Sequence, residues 1–397
     1  MRQKVLLLSF DHPMRAVVSV GLSMAQGLVG LGIQPIVISV PSEINRLSAL
    51  NLHDIDGVLV LGTPPLDLRV DHDFFFKKLH CPIWVYFLDA PIYDLWRVPA
   101  AREFFNFASK RSHLIPVFPE KGYLKLLGRS PEGGFFPPQS RHIPFGCFPQ
   151  VRFGPGRSEK SAEATRICII GTIGTELGVV KREDTLRNLI ENFSPASENK
   201  QALRSLEELL LSPEAPDLPA AAMRATLGIS ALDLISPNYL RMACAIDSWA
   251  KRDRRLRAVQ SLQGVDVDFF GTGWNEYFSN EKCFRFFQPI AHDDIAGTVR
   301  RYKALINFDP CWDEGLHDRV YTASAIGAKV LTNSNAALQK TDLPRDLVLT
   351  YDHHDPRLGE IAGEIKSSNE GEKAARLEVI VNHGWTQRMG QLVLGSS

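Results

Sequence analysis

Apolar residues recur along the chain in two rhythms. Residues 5–10 are apolar apart from Ser9, the pattern of a parallel strand buried on both faces. Residues 16–31 change to helical spacing, with Val17, Val20, Met24, Leu28 and Leu31 on one stripe. Gly32 ends that helix, and residues 35–40 read as a second strand. Residues 58–61, 83–88 and 114–118 are further short apolar runs, the last followed by a helix over 120–127. Repeated β-α-β units predict a parallel, doubly wound sheet. Between about 128 and 164 the chain turns to Gly, Pro, Ser and Arg, which reads as a linker. A second Rossmann-like series opens at 167–171 and continues through 265–270, 304–308, 329–331 and 347–349. Residues 194–237 carry several prolines and an Ala-rich helix, and are expected to be a helical insertion in the C-terminal domain, either a partner surface or an acceptor-side cover. The predicted architecture is α/β: one Rossmann-like domain over about 1–150, a second over about 165–384, and a central cleft onto which the carboxyl ends of the strands open.

Composition removes several classes of function. Lys plus Arg equals Asp plus Glu at 45 each, so no overall field favours nucleic acid or an anionic membrane. The run Lys251-Arg252-Asp253-Arg254-Arg255 is broken by acid within a helical pattern, and a solvated helix face is expected. No apolar stretch approaches the roughly 20 residues of a membrane span. The apolar start at 5–8 is cut short by Asp11-His12-Pro13, so a first strand fits it better than a secretory leader. Six cysteines stand without a Cys-x-x-Cys pair, which predicts reduced, mostly buried thiols and a cytoplasmic protein.

The richest segment for chemistry runs from Asn307 to Leu331. A strand ends at Phe308, a polar loop follows, and Asp318 is placed to cap a helix beginning at Arg319 and stopping at Gly327. A helix N-terminus with a guanidinium beside it is a site for a pyrophosphate. Pairing of Arg319 with Asp309, Asp313 or Asp318 at the surface accounts for the same residues. The segment resembles the signature of group 1 glycosyltransferases of the GT-B fold, in particular the spore-maturation-protein (CgeB-like) branch. The resemblance rests on Arg319, Tyr321, Ala323, Ala325, Gly327 and Ala328. In that family two glutamates eight positions apart contact the donor sugar and the nucleotide ribose. Glu314 holds the first position and Thr322 the second, one hydroxyl where the family has a carboxylate.

Other segments agree in order. Phe269-Phe270-Gly271-Thr272-Gly273-Trp274 resembles the family's strand ending in Gly-x-Gly-Trp. Gln288-Pro289-Ile290-Ala291-His292 resembles the loop whose backbone, near Ile290, pairs with the donor base; His292 is expected to cap the next helix. Gly171-Thr172 follows the domain's first strand, where the family's phosphate-facing loop lies. His383-x-Trp385-Thr386-x-Arg388 resembles the closing helix, which would pack residues 385–397 back on the first domain. Tyr86 to Pro91 resembles a strand ending in Asp-x-Pro.

The resemblance implies a nucleoside-diphosphate sugar as co-substrate, no separate cofactor, and an acceptor presented by the first domain. Gly171, Thr172, Gly271, Trp274, Ile290, Arg319, Tyr321 and Thr322 would hold the donor, and Glu314 would orient its sugar. Asp11, His12 and Asp89, at strand ends facing the cleft, are the candidate acid–base groups. Asp352-His353-His354-Asp355 reads as polar caps, and Asp266-x-Asp268 lies inside a strand, so no metal requirement is expected. Two rivals stand beside the transferase: a GT-B protein that binds without transferring, motivated by Thr322, and a sugar-nucleotide epimerase or hydrolase on the same fold.

Overall fold

A computed structural model describes residues 3–11, 16–70, 72–128, 135–147, 165–173, 181–196, 198–309, 311–312, 314–365 and 372–395. Among these, the principal elements in chain order begin with β1 (Lys4–Phe10), α1 (Ala16–Gly30), β2 (Gln34–Val40), β3 (Gly57–Leu61) and β4 (Ile83–Tyr86). They continue with α2 (Pro91–Arg97), β5 (Leu114–Phe118), α3 (Lys121–Leu127) and β6 (Arg141–His142). The second half holds β7 (Ile167–Ile170), α4 (Pro219–Leu227), α5 (Pro237–Gln260), β8 (Val267–Phe270) and β9 (Phe284–Phe287). It ends with β10 (Ala304–Asn307), α6 (Asp318–Ala325), β11 (Val330–Asn333), β12 (Val348–Tyr351) and α7 (Trp385–Met389).

Two six-stranded parallel sheets result. The first has the order β2-β1-β3-β4-β5-β6 and the second β9-β8-β7-β10-β11-β12. The apolar run of β1 feeds both faces of its sheet, because successive side chains point opposite ways. Leu6 and Leu8 join Val58, Val60 and Val85 in one core. Val5 and Leu7 join Leu59, Leu61 and Tyr86 in the other. In each sheet the strand order reverses once, between β1 and β3 and between β7 and β10. Loops diverge there and leave a crevice at the carboxyl ends.

The expected insertion folds as helices Lys200–Leu211, α4 and Ala231–Leu234. Leu206, Met223 and Leu234 share a core with Phe87 and Phe104 of the first half. Helix α5 is buried nearly all round: Cys244 and Ile246 enter that core, while Ala258 and Val259 enter the core of the second sheet. The basic run is a correction to the sequence reading. Arg252 and Arg254 are buried, because their guanidinium groups satisfy the backbone carbonyls of Lys181, Asp184, Pro216 and Asp217. Asp247, fully buried, accepts from Tyr93 Oη at 2.6 Å and pairs with Lys251 Nζ at 3.1 Å.

Helix α7 lies across α1. A Cβ at Gly27 would stand 2.7 Å from the Trp385 carbonyl carbon and oxygen, so only glycine permits this approach. The Trp385 ring sits over Gly146 and meets Tyr86 edge-on at 6.0 Å. Arg388 Nη2 lies 2.9 Å from His383 Nδ1 in the same buried cluster. All six cysteines are free, four of them buried. No helix among the described residues is long and apolar enough to cross a membrane.

Candidate functional site

The two strand-order reversals face each other. A cavity of about 380 Å³ is lined by Phe10, Gly62 and Thr63 from the first and by His317 and Asp318 from the second. A smaller one of about 110 Å³ lies between α1, through Ser19 and Ser23, and the second half, through Ala296, Arg319 and Thr322. His292 and Asp318 line both cavities, so the two meet at these residues. Ser19 Oγ donates to Asp293 Oδ1 and ties the two halves together beside the smaller cavity.

On the side of the second sheet, behind Arg319, two glycine turns pack against each other. A Cβ at Gly271 would lie 2.0 Å from the Gly171 carbonyl oxygen, so the turns after β7 and β8 touch through their backbones. Trp274 Nε1 donates to that carbonyl at 2.7 Å, and its ring is buried. Trp274 therefore shapes the Gly171 turn from behind instead of facing the cavities. Thr172 Oγ1 lies 3.3 Å from Thr272 Oγ1. Arg319 covers this turn: its Nη1 donates to the Ile170 carbonyl oxygen, and a Cβ on Gly171 would lie 3.3 Å from Nη1.

Helix α6 starts differently from the sequence expectation. His317, not Asp318, is the N-cap; its Nδ1 accepts weakly from Arg319 N at 3.4 Å. Asp318 is free of that duty because its carboxylate serves two imidazoles. Oδ2 bonds His292 Nε2 at 2.8 Å and Oδ1 contacts His317 Nδ1. Burial raises the Asp318 pKa, but His317 and His292 outweigh that and hold the carboxyl well below the usual range. His292 is thus bound to Asp318 and does not cap its own helical turn. Arg319 Nε and Nη2 lie 3.2 and 3.1 Å from the two ring nitrogens of His317. A ring nitrogen offers either a proton or a lone pair, so His317 Nδ1 serves Arg319 or Asp318 at any instant.

The remaining expected residues scatter. Thr322 Oγ1 is buried at the smaller cavity and has no hydrogen-bond partner among the described residues. Tyr321 turns into the core, its ring 5.2 Å from His383. Ile290 packs at the edge of the core. Glu314 stands away from both cavities: its buried carboxylate pairs with Lys125 of α3, and with Lys340 at 3.7 Å. Asp11 turns toward β2, where it accepts from Ser39 Oγ and Ser42 N at 2.8 and 3.0 Å; these bonds lower its pKa. His12, Asp313 and residues 174–175 lie outside the described residues. Asp89 lines the larger cavity.

Sequence reasoning missed Asp94. It sits in the first turn of α2 and lines the cavity with Asp89. Its Oδ1 accepts from Thr63 Oγ1 at 2.6 Å, and burial followed by the charge of Asp89 pushes its pKa up to about 7. An acid in a first helical turn reads as a dipole complement, and only the adjacency of Thr63 separates it from that.

Away from this crevice, an open cavity of about 880 Å³ lies between α3, α4 and the ends of β11 and β12. His353, 3.4 Å from Asp217 Oδ1, lines it and is kept neutral by burial and Arg254, its pKa lowered to about 3. No group of three His, Cys, Asp or Glu among the described residues is arranged to hold a metal. Asp268 is tied instead to Arg166 Nε at 2.7 Å, Arg285 Nε at 2.8 Å and Tyr302 Oη at 2.8 Å.

Residues 252–393 match a family model described as glycosyl transferase-like. No curated protein sequence matches the chain. Among solved structures, sucrose-phosphate synthase from Thermosynechococcus elongatus superposes with a TM-score of 0.54 at 11% identity, covering 99% of each chain. An α-glucosyltransferase in complex with UDP gives 0.52 at 11% identity over 96% of each chain. HepE from Anabaena, in complex with UDP and glucose, gives 0.51 at 10% identity over 99% of each. The chain has the GT-B fold: two facing Rossmann-like domains.

Proposed function

We propose that the protein is a glycosyltransferase that moves a sugar from a nucleoside-diphosphate donor to a hydroxyl acceptor, and that it belongs with the spore-maturation branch of the group 1 family. The observation that carries this is Arg319 with the imidazoles of His317 and His292 at the N-terminus of α6, set where the two cavities meet. A diphosphate needs a fixed cation with forked donors, and Arg319 supplies it at this corner. The nucleoside takes the smaller cavity with Thr322 toward its ribose, and the acceptor lies on the side of the first domain. The glycosyl transferase-like match over 252–393 supports the same reading.

In this reading Arg319 and the imidazoles stabilise the diphosphate as charge develops on the leaving group, so no divalent metal is required. The free cysteines support a reducing compartment such as the cytoplasm. Calorimetric titration with UDP, GDP, ADP and dTDP in the presence of chelator tests the donor half; turnover of the matching nucleotide sugars tests the transfer. Binding that appears only with magnesium or manganese would refute metal independence. A second reading is a GT-B protein that binds a nucleotide without transferring. The Glu314–Lys125 pair favours it, since the carboxylate expected to orient the sugar is already neutralised. Nucleotide binding without turnover of any nucleotide sugar would select it.

A further inference from the structure

The Asp352-His353-His354 cluster has no part in the Arg319 corner. It lines the open cavity of about 880 Å³ whose other walls are α3 of the first domain and α4 of the insertion. None of the described residues around this cavity lines either crevice cavity. Its walls are fixed by bonds between separate elements. Buried Arg254 holds the carbonyls of Pro216 and Asp217, and Arg224 Nη1 donates to the Leu126 carbonyl. The His354 ring is hydrogen-bonded to the Ala215 backbone. His353 is buried, yet its Nε2 makes no hydrogen bond among the described residues, Asp217 Oδ1 standing 3.4 Å away.

The lining suits an uncharged ligand rich in hydroxyl groups. Lys125 and Arg224 are balanced by Asp217 and Asp352, and Lys125 is already paired with Glu314. Burial and Arg254 keep His353 neutral, its pKa lowered to about 3, and the same two causes lower that of His354. A phosphate or sulfate therefore meets no surplus of positive charge here. A neutral imidazole gives or accepts one hydrogen bond at each nitrogen, and a carboxylate accepts several, which matches the neighbouring hydroxyls of a sugar ring. Leu126, Leu218 and Ile229 add apolar surface for the C–H face of such a ring. The volume falls within the roughly 300–1,000 Å³ of small-molecule sites, enough for more than one sugar unit.

We propose that this cavity is a carbohydrate site separate from the donor corner, taking a neutral oligosaccharide. Its hydroxyls bond His353 Nε2 and the Asp352 carboxylate, and its ring faces lie on Leu126 and Ile229. The site goes beyond the donor reading and does not depend on it, because the two share no residue. Since α3 belongs to the first domain and α4, Asp352 and His353 to the second half, a glycan held here touches both.

The test uses the full chain and a panel of short neutral oligosaccharides built from glucose, galactose, mannose or N-acetylglucosamine, with inorganic phosphate as the anionic control. Saturation-transfer NMR detects binding and isothermal titration measures it. Ala225 is exposed on α4 at the cavity wall, so Ala225→Trp fills the cavity without entering the core. His353→Leu removes the ring nitrogens, and thermal melts check that both variants fold. At least one oligosaccharide should bind the wild type. Ala225→Trp should weaken it by about tenfold or more, and His353→Leu by roughly three- to tenfold. Affinity for whichever of UDP, GDP, ADP and dTDP the wild type binds should stay within about twofold in both variants. Binding of no panel member, binding of phosphate alone, or unchanged oligosaccharide affinity in folded Ala225→Trp overturns the site and leaves the donor reading standing. A wild type that binds an oligosaccharide in this way but no nucleoside diphosphate keeps the site and removes the donor reading.

Discussion

Arg319→Ala is the substitution on which the donor site turns. Without ligand, the guanidinium donates to the Ile170 carbonyl and lies against both ring nitrogens of His317. A diphosphate would exchange these neutral partners for charged oxygens, and the gain is the difference between the two sets. A hydrogen bond to a charged group is worth about 1.5–3 kcal/mol, so affinity for a nucleoside diphosphate should fall roughly ten- to a hundredfold. The neutral bonds lost in the free protein are worth about 1 kcal/mol, and the melting temperature should drop by only a few degrees at most. Arg319→Lys keeps the charge but cannot hold Ile170 and a phosphate with one fork, so it should recover part of the affinity. Isothermal titration with UDP, GDP and ADP at one pH and ionic strength measures all three proteins. Equal diphosphate affinity in wild type and Arg319→Ala would refute the reasoning and move weight to the binding protein without transfer.

Three further outcomes are expected. Asp268→Ala leaves Arg166 with Asp266 and the carbonyls of Val267 and Cys283 but takes the acceptor from buried Tyr302, and should cost about 1–3 kcal/mol in urea unfolding. Burial raises the Asp268 pKa, but bonds from Arg285, Tyr302 and Arg166 bring it below the usual carboxylate value. Its stabilisation is therefore complete above the unfolded pKa and fades as pH falls through the folded one, and the acid limb of stability should shrink in this variant. Gly27→Ala drives a methyl into the Trp385 carbonyl and should destabilise by about 1–3 kcal/mol, read as a lowered melting temperature with increased cleavage near residue 385. In the native protein a thiol reagent should react promptly with Cys81 and Cys283 alone, because the other four are buried and burial pushes the Cys147 thiol up to about 12. Rapid titration of all six would contradict that.

Strands were legible because buried parallel strands leave apolar runs, unbroken in β3, β5 and β7 and interrupted once each in β1, at Ser9, and β8, at Asp268. The run Lys251 to Arg255 misled because its charges satisfy backbone carbonyls of remote loops, and sequence carries no trace of such partners. The start of α6 was legible to within one residue. Asp318 was read as the cap because nothing in its neighbourhood reveals His292, twenty-six positions away, as the partner that claims its carboxylate. The glycines after β7 and β8 were recognisable as close approaches, but the burial of Trp274 behind them was not. Asp94 stayed hidden because what distinguishes it is Thr63, brought beside it by the pairing of β3 with β4.

The seating of α7 on α1 orders events during synthesis. The ribosome makes α1 well before α7. Until Trp385 emerges, the groove at Gly27 and Gly30 and the surface at Gly146 stay open to water. The domain that contains α1 therefore waits for α7 before it is completed, and a nascent chain stalled shortly before residue 385 exposes apolar surface of that domain.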